Sequence, residues 1–207
     1  MNLLFAKVKK LPKYLKHKTL VFLYKIQMFR RKFVVKKQIQ RLENKNFTLI
    51  SNNCNGCVLL HELGLKFNSQ FVNLSINAVD YIKYLKNFDY YNSLELSFVE
   101  DGSVSYPVGL LGDLRIDFVH YKSPEEAREK WNDRKKRINI ENMYVIFTEQ
   151  GDCTEECVKS FDELPFENKV VFTCKPYNDI KSAIFVKNIL ESPREYICFW
   201  TLKTNFP

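Results

Sequence analysis

The side chains best suited to chemistry include a short polar segment, Asn52, Asn53, Cys54, Asn55 and Gly56. Asparagine amides can donate hydrogen bonds to an oxyanion or a phosphate, and glycine lets the backbone approach a bound group closely. If a helix follows the segment, the positive end of its dipole favours an anion at the same place. We therefore expect residues 52–56 to bind substrate or an anion. The structural alternative is an ordinary turn closed by asparagine side chains.

Two side chains are candidates for the reaction itself. Cys54 stands at the entrance of a predicted helix, where a thiol ionises easily and acts as a nucleophile, although a buried packing role is the alternative. His120 follows an apolar run and can act as a general acid or base, or hold a loop carbonyl. Asp113, Asp117 and Asp152 are candidate partners of this imidazole, and we also place Asp117 and Asp152 among the substrate-binding residues.

The cysteine pattern favours reduced, independent thiols. The sequence has six cysteines and no recognisable export signal, which is typical of a reducing compartment. The spacing Cys54-x-x-Cys57 leaves two alternatives open, half of a zinc site or a redox pair, and Cys153 and Cys157 would supply further zinc ligands. We assign no metal-binding residue. The remaining two cysteines, Cys174 and Cys198, lie close to phenylalanines in the sequence, and we interpret them as core residues.

Alternating strand and helix patterns must position these groups. Predicted strands lie at 47–51, 71–76, 94–99, 106–111, 114–120, 143–148, 169–173, 183–186 and 196–200. Predicted helices lie at 57–63, 77–87 and 124–137, and a short one runs from Asp152 or Thr154 to about 161. Ser123, Pro124 and Glu126 form the sharpest helix start. The pattern predicts an α/β fold with three α/β/α layers and a mixed, partly parallel sheet. In such sheets ligands bind beyond the carboxyl ends of strands, where loops 51–56, 120–123 and 149–152 fall.

Charge divides the chain into two predicted domains. Residues 1–46 carry 14 Lys and Arg and one acidic residue, whereas residues 47–207 are net acidic. We interpret 1–46 as a basic amphipathic helical leader and 47–207 as a single α/β domain. Residues 7–46 are too interrupted to span a bilayer and suit an anionic membrane surface, with packing on the domain as the alternative. No nucleic-acid partner is expected, because no reader motif accompanies the charge.

Several well-known catalytic motifs are absent from the sequence. It contains no G-x-G-x-x-G, P-loop, G-x-S-x-G or H-E-x-x-H motif, and no Asp-x-Asp of the kind used by metal-dependent sugar-nucleotide transferases. The basic run 134–137 is compatible with phosphate binding or with a solvated helix face. The residues by themselves therefore indicate a site but not its reaction.

An ordered series of short motifs resembles the bacterial domain-of-unknown-function family nineteen-nineteen, often labelled exopolysaccharide or capsule biosynthesis protein. The motifs are ISNNCNG (50–56), YPVG (106–109), DFVHYKS (117–123), EA (126–127), KW (130–131), RKKRIN (134–139), LPFENK (164–169) and FT (172–173). The resemblance covers about residues 47–190 and leaves the basic leader outside. The chain departs from the usual family pattern at Asn55, Cys57 and Asp117, where Trp, Gly and His are typical.

The resemblance implies a three-layer α/β/α fold and a role in making surface polysaccharide. The strand–Asn–Cys–helix start is also similar in kind to a family of polysaccharide acetyltransferases that use coenzyme A. On this basis we expect a cytoplasmic transferase, at the inner membrane face, that passes an acyl group to a sugar hydroxyl. Its substrates would be a polysaccharide precursor and coenzyme A or a sugar nucleotide. The alternative is a non-catalytic binding or assembly protein that recruits polysaccharide enzymes to the membrane.

Overall fold

The chain divides into two structural units, Met1–Asn44 and Lys45–Pro207. The computed structural model describes residues 32–186 and, before them, Leu15, Thr19, Phe22 and Phe29. In the first unit the described residues 32–41 are helical. Within the described part of the chain, no helix has both the length and the apolar character needed to cross a bilayer. The strand predicted at 196–200 and Cys198 lie outside the described residues.

Seven strands and five α-helices make up the described part of the second unit. The strands are β1 (Thr48–Ser51), β2 (Ser97–Val99), β3 (Val108–Leu111), β4 (Leu114–Asp117), β5 (Met143–Thr148), β6 (Asn168–Thr173) and β7 (Ala183–Phe185). The helices are α1 (Asn55–Glu62), α2 (Ala78–Lys86), α3 (Phe88–Ser93), α4 (Pro124–Lys135) and α5 (Glu155–Asp162), with a 3-10 turn at Ile140–Asn142. The sequence did not predict α3.

The strands form two sheets, and the predicted α/β class is confirmed. One sheet is parallel with the order β1-β5-β6-β7, and the other is antiparallel with the order β2-β3-β4. Five of the six residues of β5 are buried, as expected for a parallel strand covered on both faces. The parallel and antiparallel strands therefore lie in separate sheets, whereas the sequence analysis expected one mixed sheet.

Helices cover both faces of the parallel sheet, which gives three α/β/α layers. Adjacent residues of β1 point to opposite sides: Leu49 packs with Leu60 of α1, whereas Ile50 belongs to the core that includes α2, α4 and α5. This larger core contains an aromatic cluster in which Phe71 and Phe118 both contact Trp131 of α4. The cluster connects the antiparallel sheet to the helical layer.

The predicted start of α4 is confirmed. Ser123 is the N-cap, its hydroxyl accepts a hydrogen bond from the Glu126 N–H at 3.3 Å, and Pro124 occupies the first turn. The Glu126 carboxylate in turn accepts from the Lys122 N–H at 3.1 Å. These contacts satisfy backbone donors that a helix start leaves without intrahelical partners. They fix the direction of α4 and with it the position of Arg134 near its end.

Candidate functional site

Asn52 joins the ends of β1 and β5 at the carboxyl edge of the parallel sheet. Its side chain is 1% exposed. Its Nδ2 donates to the Thr148 carbonyl at 3.1 Å, and its Oδ1 accepts from the Thr148 N–H at 3.0 Å. The amide thus takes the place of a peptide group where regular strand pairing ends. Both polar atoms of this predicted anion-binding side chain are used inside the protein.

The other two asparagines of the segment are also buried and bonded within the protein. Asn53 Nδ2 donates to Gln150 Oε1 at 2.9 Å, while its Oδ1 accepts from Ser51 Oγ and from the Asn55 N–H. Asn55 Nδ2 donates to Thr148 Oγ1 at 3.2 Å. These amides therefore make hydrogen bonds that close the loop, and anion binding by residues 52–56 stays a prediction.

Gly56 allows α1 to pack closely on β1. A Cβ atom at this position would lie 2.9 Å from Ser51 Cβ and 3.6 Å from Leu49 Cδ2. The first distance is shorter than real carbon–carbon contacts allow, and both neighbours belong to a buried strand. The contact that requires glycine here is therefore one between helix and strand.

Cys54 and Cys57 lie together at the first turn of α1. Cys54 is the N-cap residue and is half-buried, whereas Cys57 is 5% exposed. The Cys57 sulfur lies 3.0 Å from the Cys54 carbonyl oxygen and 3.2 Å from Asn73 Oδ1, and its single proton can be donated to either. The Cys54 thiol lies 3.8 Å from the Leu74 carbonyl, to which it donates. The two thiols thus face the segment 73–74.

The environment favours the ionised form of Cys57. A hydrogen bond from the Cys54 side chain is the largest cause that lowers its pKa, from 9.0 to about 7. Burial opposes this effect, while the backbone groups of Asn73 and Val58 and the positive charge of Arg134 reinforce it. Since the thiolate is the nucleophilic form of cysteine, this pair holds a reactive sulfur near neutral pH. Cys54 is the more exposed member and the hydrogen-bond donor.

Arg134 of α4 and Tyr121 bring a cation and a phenol to the same neighbourhood. Arg134 Nη1 donates to the Tyr121 hydroxyl, which itself donates to the Val72 carbonyl at 2.7 Å. Burial raises the pKa of Tyr121, so this hydroxyl stays protonated near neutral pH, and the phenol is close enough to Cys57 for an electrostatic interaction. The sequence identified Arg134 only as part of a basic run and did not identify Tyr121.

Asn73, like Tyr121, was not identified from the sequence. It has a φ of 60°, in the left-handed region that asparagine tolerates better than most side chains. The strand predicted at 71–76 is wrong: the segment is a loop with a single bridge between Ser75 and Asp117. The left-handed turn carries the Asn73 amide to Cys57. An asparagine between Val72 and Leu74 is a poor strand former, and this was the available signal.

His120 is exposed and follows β4, which ends at Asp117 and not at residue 120 as predicted. The residues on either side of His120 contact the segment 72–76. Asp117 and Ser75 exchange two backbone hydrogen bonds of 2.8 Å, and the Tyr121 hydroxyl donates to the Val72 carbonyl. The same segment contacts the loop after β1, because the Ile76 N–H donates to the Asn52 carbonyl at 3.0 Å. The residues flanking His120 and the loop 52–56 therefore contact one shared segment, residues 72–76.

The three carboxylates predicted as partners of His120 make other contacts. Asp117 forms an ion pair with Arg115 at 2.9 Å. Asp152 is exposed and accepts a hydrogen bond from the Ala78 N–H at the start of α2, at 3.3 Å. Asp113 pairs with Lys83 and with the Tyr91 hydroxyl. Asp152 therefore holds a helix start, and Asp117 lies beside the 72–76 segment.

The other described cysteines have a different character from the pair on α1. Burial raises the pKa of both Cys153 and Cys174, the latter to about 11. Cys157 is buried within α5. In the residues that the structure describes, no group of three or more His, Cys, Asp and Glu side chains is arranged to hold a metal ion. The described part of the chain thus offers no ligand set for the zinc alternative.

Fold and site together define an α/β protein with a pair of free cysteines at a helix start at the carboxyl edge of a parallel sheet. Residues 25–201 match the model of a family described as a domain of unknown function, DUF1919, and the chain belongs to this family. The match begins inside the basic segment, so the expectation that this segment lies wholly outside the family is wrong. The chain is also 45% identical over 159 residues to an uncharacterized protein of Haemophilus influenzae. The aligned residues make up 76% of this chain and 77% of that protein.

Proposed function

We propose that this protein is a transferase of surface-polysaccharide biosynthesis that moves an acyl group from a thioester, such as acyl-coenzyme A, to a sugar hydroxyl. The observation that carries the proposal is the pair of thiols of Cys54 and Cys57, which lie together at the start of α1 in surroundings that lower the pKa of Cys57 to about 7. Thiolates exchange readily with thioesters and form covalent acyl intermediates. The polysaccharide acceptor follows from the resemblance described above.

The reaction divides into two transfers. In the first, the Cys57 thiolate takes the proton that Cys54 donates to it, and the resulting thiolate of the more exposed Cys54 attacks the thioester carbonyl. A Cys54 thioester forms and the donor thiolate leaves. In the second, the exposed imidazole of His120 takes the proton of a sugar hydroxyl, whose oxygen attacks the Cys54 thioester. The sugar ester forms, and the sulfur of Cys54 leaves as the thiolate.

The surroundings support these roles. Arg134 contributes the positive charge that favours a thiolate on the pair. The basic residues that follow Arg134 in the sequence could hold the phosphates of a coenzyme A or sugar-nucleotide substrate. Asn52, Asn53 and Asn55 keep the loop rigid through their buried hydrogen bonds, so that α1 begins at a fixed position.

A direct test is mass spectrometry of the full-length protein after incubation with acetyl-coenzyme A. We expect an acetyl thioester on Cys54, released by hydroxylamine, and no adduct in Cys54→Ser. Cys153→Ser is the matched control, because the pKa of that thiol is raised by burial, and it should acetylate like the wild type. Absence of an adduct, or equal labelling of Cys153, would refute the mechanism. Unchanged polymer in cells carrying Cys54→Ser would favour the assembly role.

We also propose that the protein acts at the cytoplasmic face of the inner membrane, attached through residues 7–46. This segment is rich in Lys and Arg, and among its described residues Phe22, Phe29 and Phe33 are each more than 60% exposed. Exposed aromatic side chains among basic residues suit the surface of an anionic leaflet. A polysaccharide precursor carried on a membrane lipid would meet the enzyme there.

A further inference from the structure

Cys54 and Cys57 are arranged for oxidation as well as for nucleophilic attack. They are three residues apart at the start of α1, and the Cys57 sulfur lies 3.0 Å from the Cys54 carbonyl oxygen. The two sulfurs contact adjacent residues, Leu74 for Cys54 and Asn73 for Cys57. Disulfides require Cα atoms within about 7 Å and side chains that point toward each other. Residues three apart at a helix start meet the first requirement, and the contacts of both sulfurs with the adjacent residues Asn73 and Leu74 place the two side chains on the same side of α1.

We propose that Cys54 and Cys57 form a reversible intramolecular disulfide by exchange with a low-molecular-weight disulfide such as oxidised glutathione. The pair would then be a redox-modification site, with a disulfide-containing thiol compound as its reaction partner. This inference concerns oxidation of the two sulfurs and does not depend on the proposed acyl transfer.

The exposures of the two sulfurs set the order of the exchange. Cys57 takes the proton of half-buried Cys54, and the Cys54 thiolate attacks one sulfur of glutathione disulfide. A mixed disulfide forms, and the glutathione thiolate that leaves takes the proton from Cys57. The buried thiolate of Cys57 then attacks the Cys54 sulfur and releases the second glutathione. The two cysteines lose two electrons and two protons, and the oxidant becomes two molecules of glutathione.

Neighbouring groups favour the second attack. Once Cys54 is in the mixed disulfide and has no proton to donate, the backbone groups of Asn73 and Val58 and the charge of Arg134 still stabilise a thiolate at Cys57. Asn73, which contacts Cys57 at 3.2 Å, has a left-handed backbone, a conformation that for residues other than glycine often marks functional positions. The thiols of Cys153 and Cys174 lack this support, since burial raises the pKa of both. Oxidation is therefore expected at the α1 pair.

The test equilibrates the full-length protein in buffers of reduced and oxidised glutathione, blocks free thiols with iodoacetamide, and maps the cysteines by mass spectrometry. We expect Cys54 and Cys57 to lose alkylation together, to appear as one disulfide, and to recover after reduction. Cys57→Ser should stop at the mixed disulfide on Cys54, whereas Cys153→Ser should behave as the wild type. Separate alkylation of both thiols in the wild type under oxidising buffer would overturn the inference.

If a variant fails to fold, the disulfide measured in the wild type still decides the inference. The glutathione buffers contain no acyl donor, so this result is independent of acyl transfer. A disulfide without acetylation would leave this inference intact and refute the proposed transfer. Acetylation without a disulfide would refute this inference and leave the proposed transfer intact.

Discussion

The side chain of Asn52 bonds the backbone N–H and carbonyl of Thr148, as a neighbouring strand does elsewhere in the parallel sheet. Its two hydrogen bonds to Thr148 span 96 residues of sequence and lie where β1 and β5 stop pairing. The sequence identified the asparagine-rich loop and its place after a strand. It did not reveal that the amides are bonded internally, because Thr148 and Gln150 are too distant in the chain to be recognised as partners.

We predict that Asn52→Ala lowers the free energy of unfolding by about 2–4 kcal/mol, because it leaves the buried N–H and carbonyl of Thr148 without their partner. Asn77→Ala is the matched control, since Asn77 is an exposed N-cap whose loss costs about 1 kcal/mol. Urea unfolding followed by circular dichroism measures both. A smaller loss of unfolding free energy for Asn52→Ala than for Asn77→Ala would contradict the stabilising role of the Asn52–Thr148 hydrogen bonds.

The element scale shows where local signals were sufficient. The start of α4 was predicted because its cap, its proline and its glutamate are adjacent in sequence, and local hydrogen bonds determine them. The strand expected at 71–76 was wrong because the apolar run conceals a left-handed Asn73. The partners of this segment, Cys57 for Asn73 and Asp117 for Ser75, are too distant in the chain for a short window of sequence to contain them.

Gly56 provides a test of the contact between α1 and β1. We predict that Gly56→Ala destabilises the protein by about 1–3 kcal/mol, because the added carbon meets Ser51 Cβ at 2.9 Å and a buried strand yields little. The effect should outweigh the gain of about 1 kcal/mol in helix propensity.

Gly102→Ala is the control for this measurement, since nothing lies within 4 Å of a Cβ at that position. Its unfolding free energy should stay within about 0.5 kcal/mol of the wild type. If Gly56→Ala proved as stable as Gly102→Ala in urea unfolding, the close packing of helix on strand would be refuted.

At the scale of the whole molecule, the α/β class followed from the alternation of strands and helices, whereas the two separate sheets did not. Strands β2, β3 and β4 pair with one another locally, while β1 pairs with β5 after a long excursion of the chain. Such distant pairing leaves no periodic signal. The charge division, in contrast, is written directly in the sequence, and the basic residues concentrate in 1–46.

We predict that replacing Arg30, Arg31, Lys32, Lys36 and Lys37 with Gln in the full chain weakens binding to phosphatidylserine vesicles at least about 100-fold. Each charge near an anionic surface contributes about 1 kcal/mol. The control replaces five basic residues of the second unit with Gln: Lys66, Lys86, Lys122, Lys130 and Lys136. It changes net charge equally and should retain most of the binding in a sedimentation assay. Equal losses would rule out attachment through the basic segment.

The central claim is that the pair on α1 holds a thiolate near neutral pH. The most direct measurement is the ultraviolet absorbance of thiolate against pH, as the difference between the wild type and Cys57→Ala. The pKa of Cys57 is lowered from 9.0 to about 7, so the signal should rise with a midpoint near pH 7. Cys54→Ala removes the largest cause of the lowering and should move the midpoint upward. A wild-type midpoint at or above pH 9, unmoved by Cys54→Ala, would contradict the account.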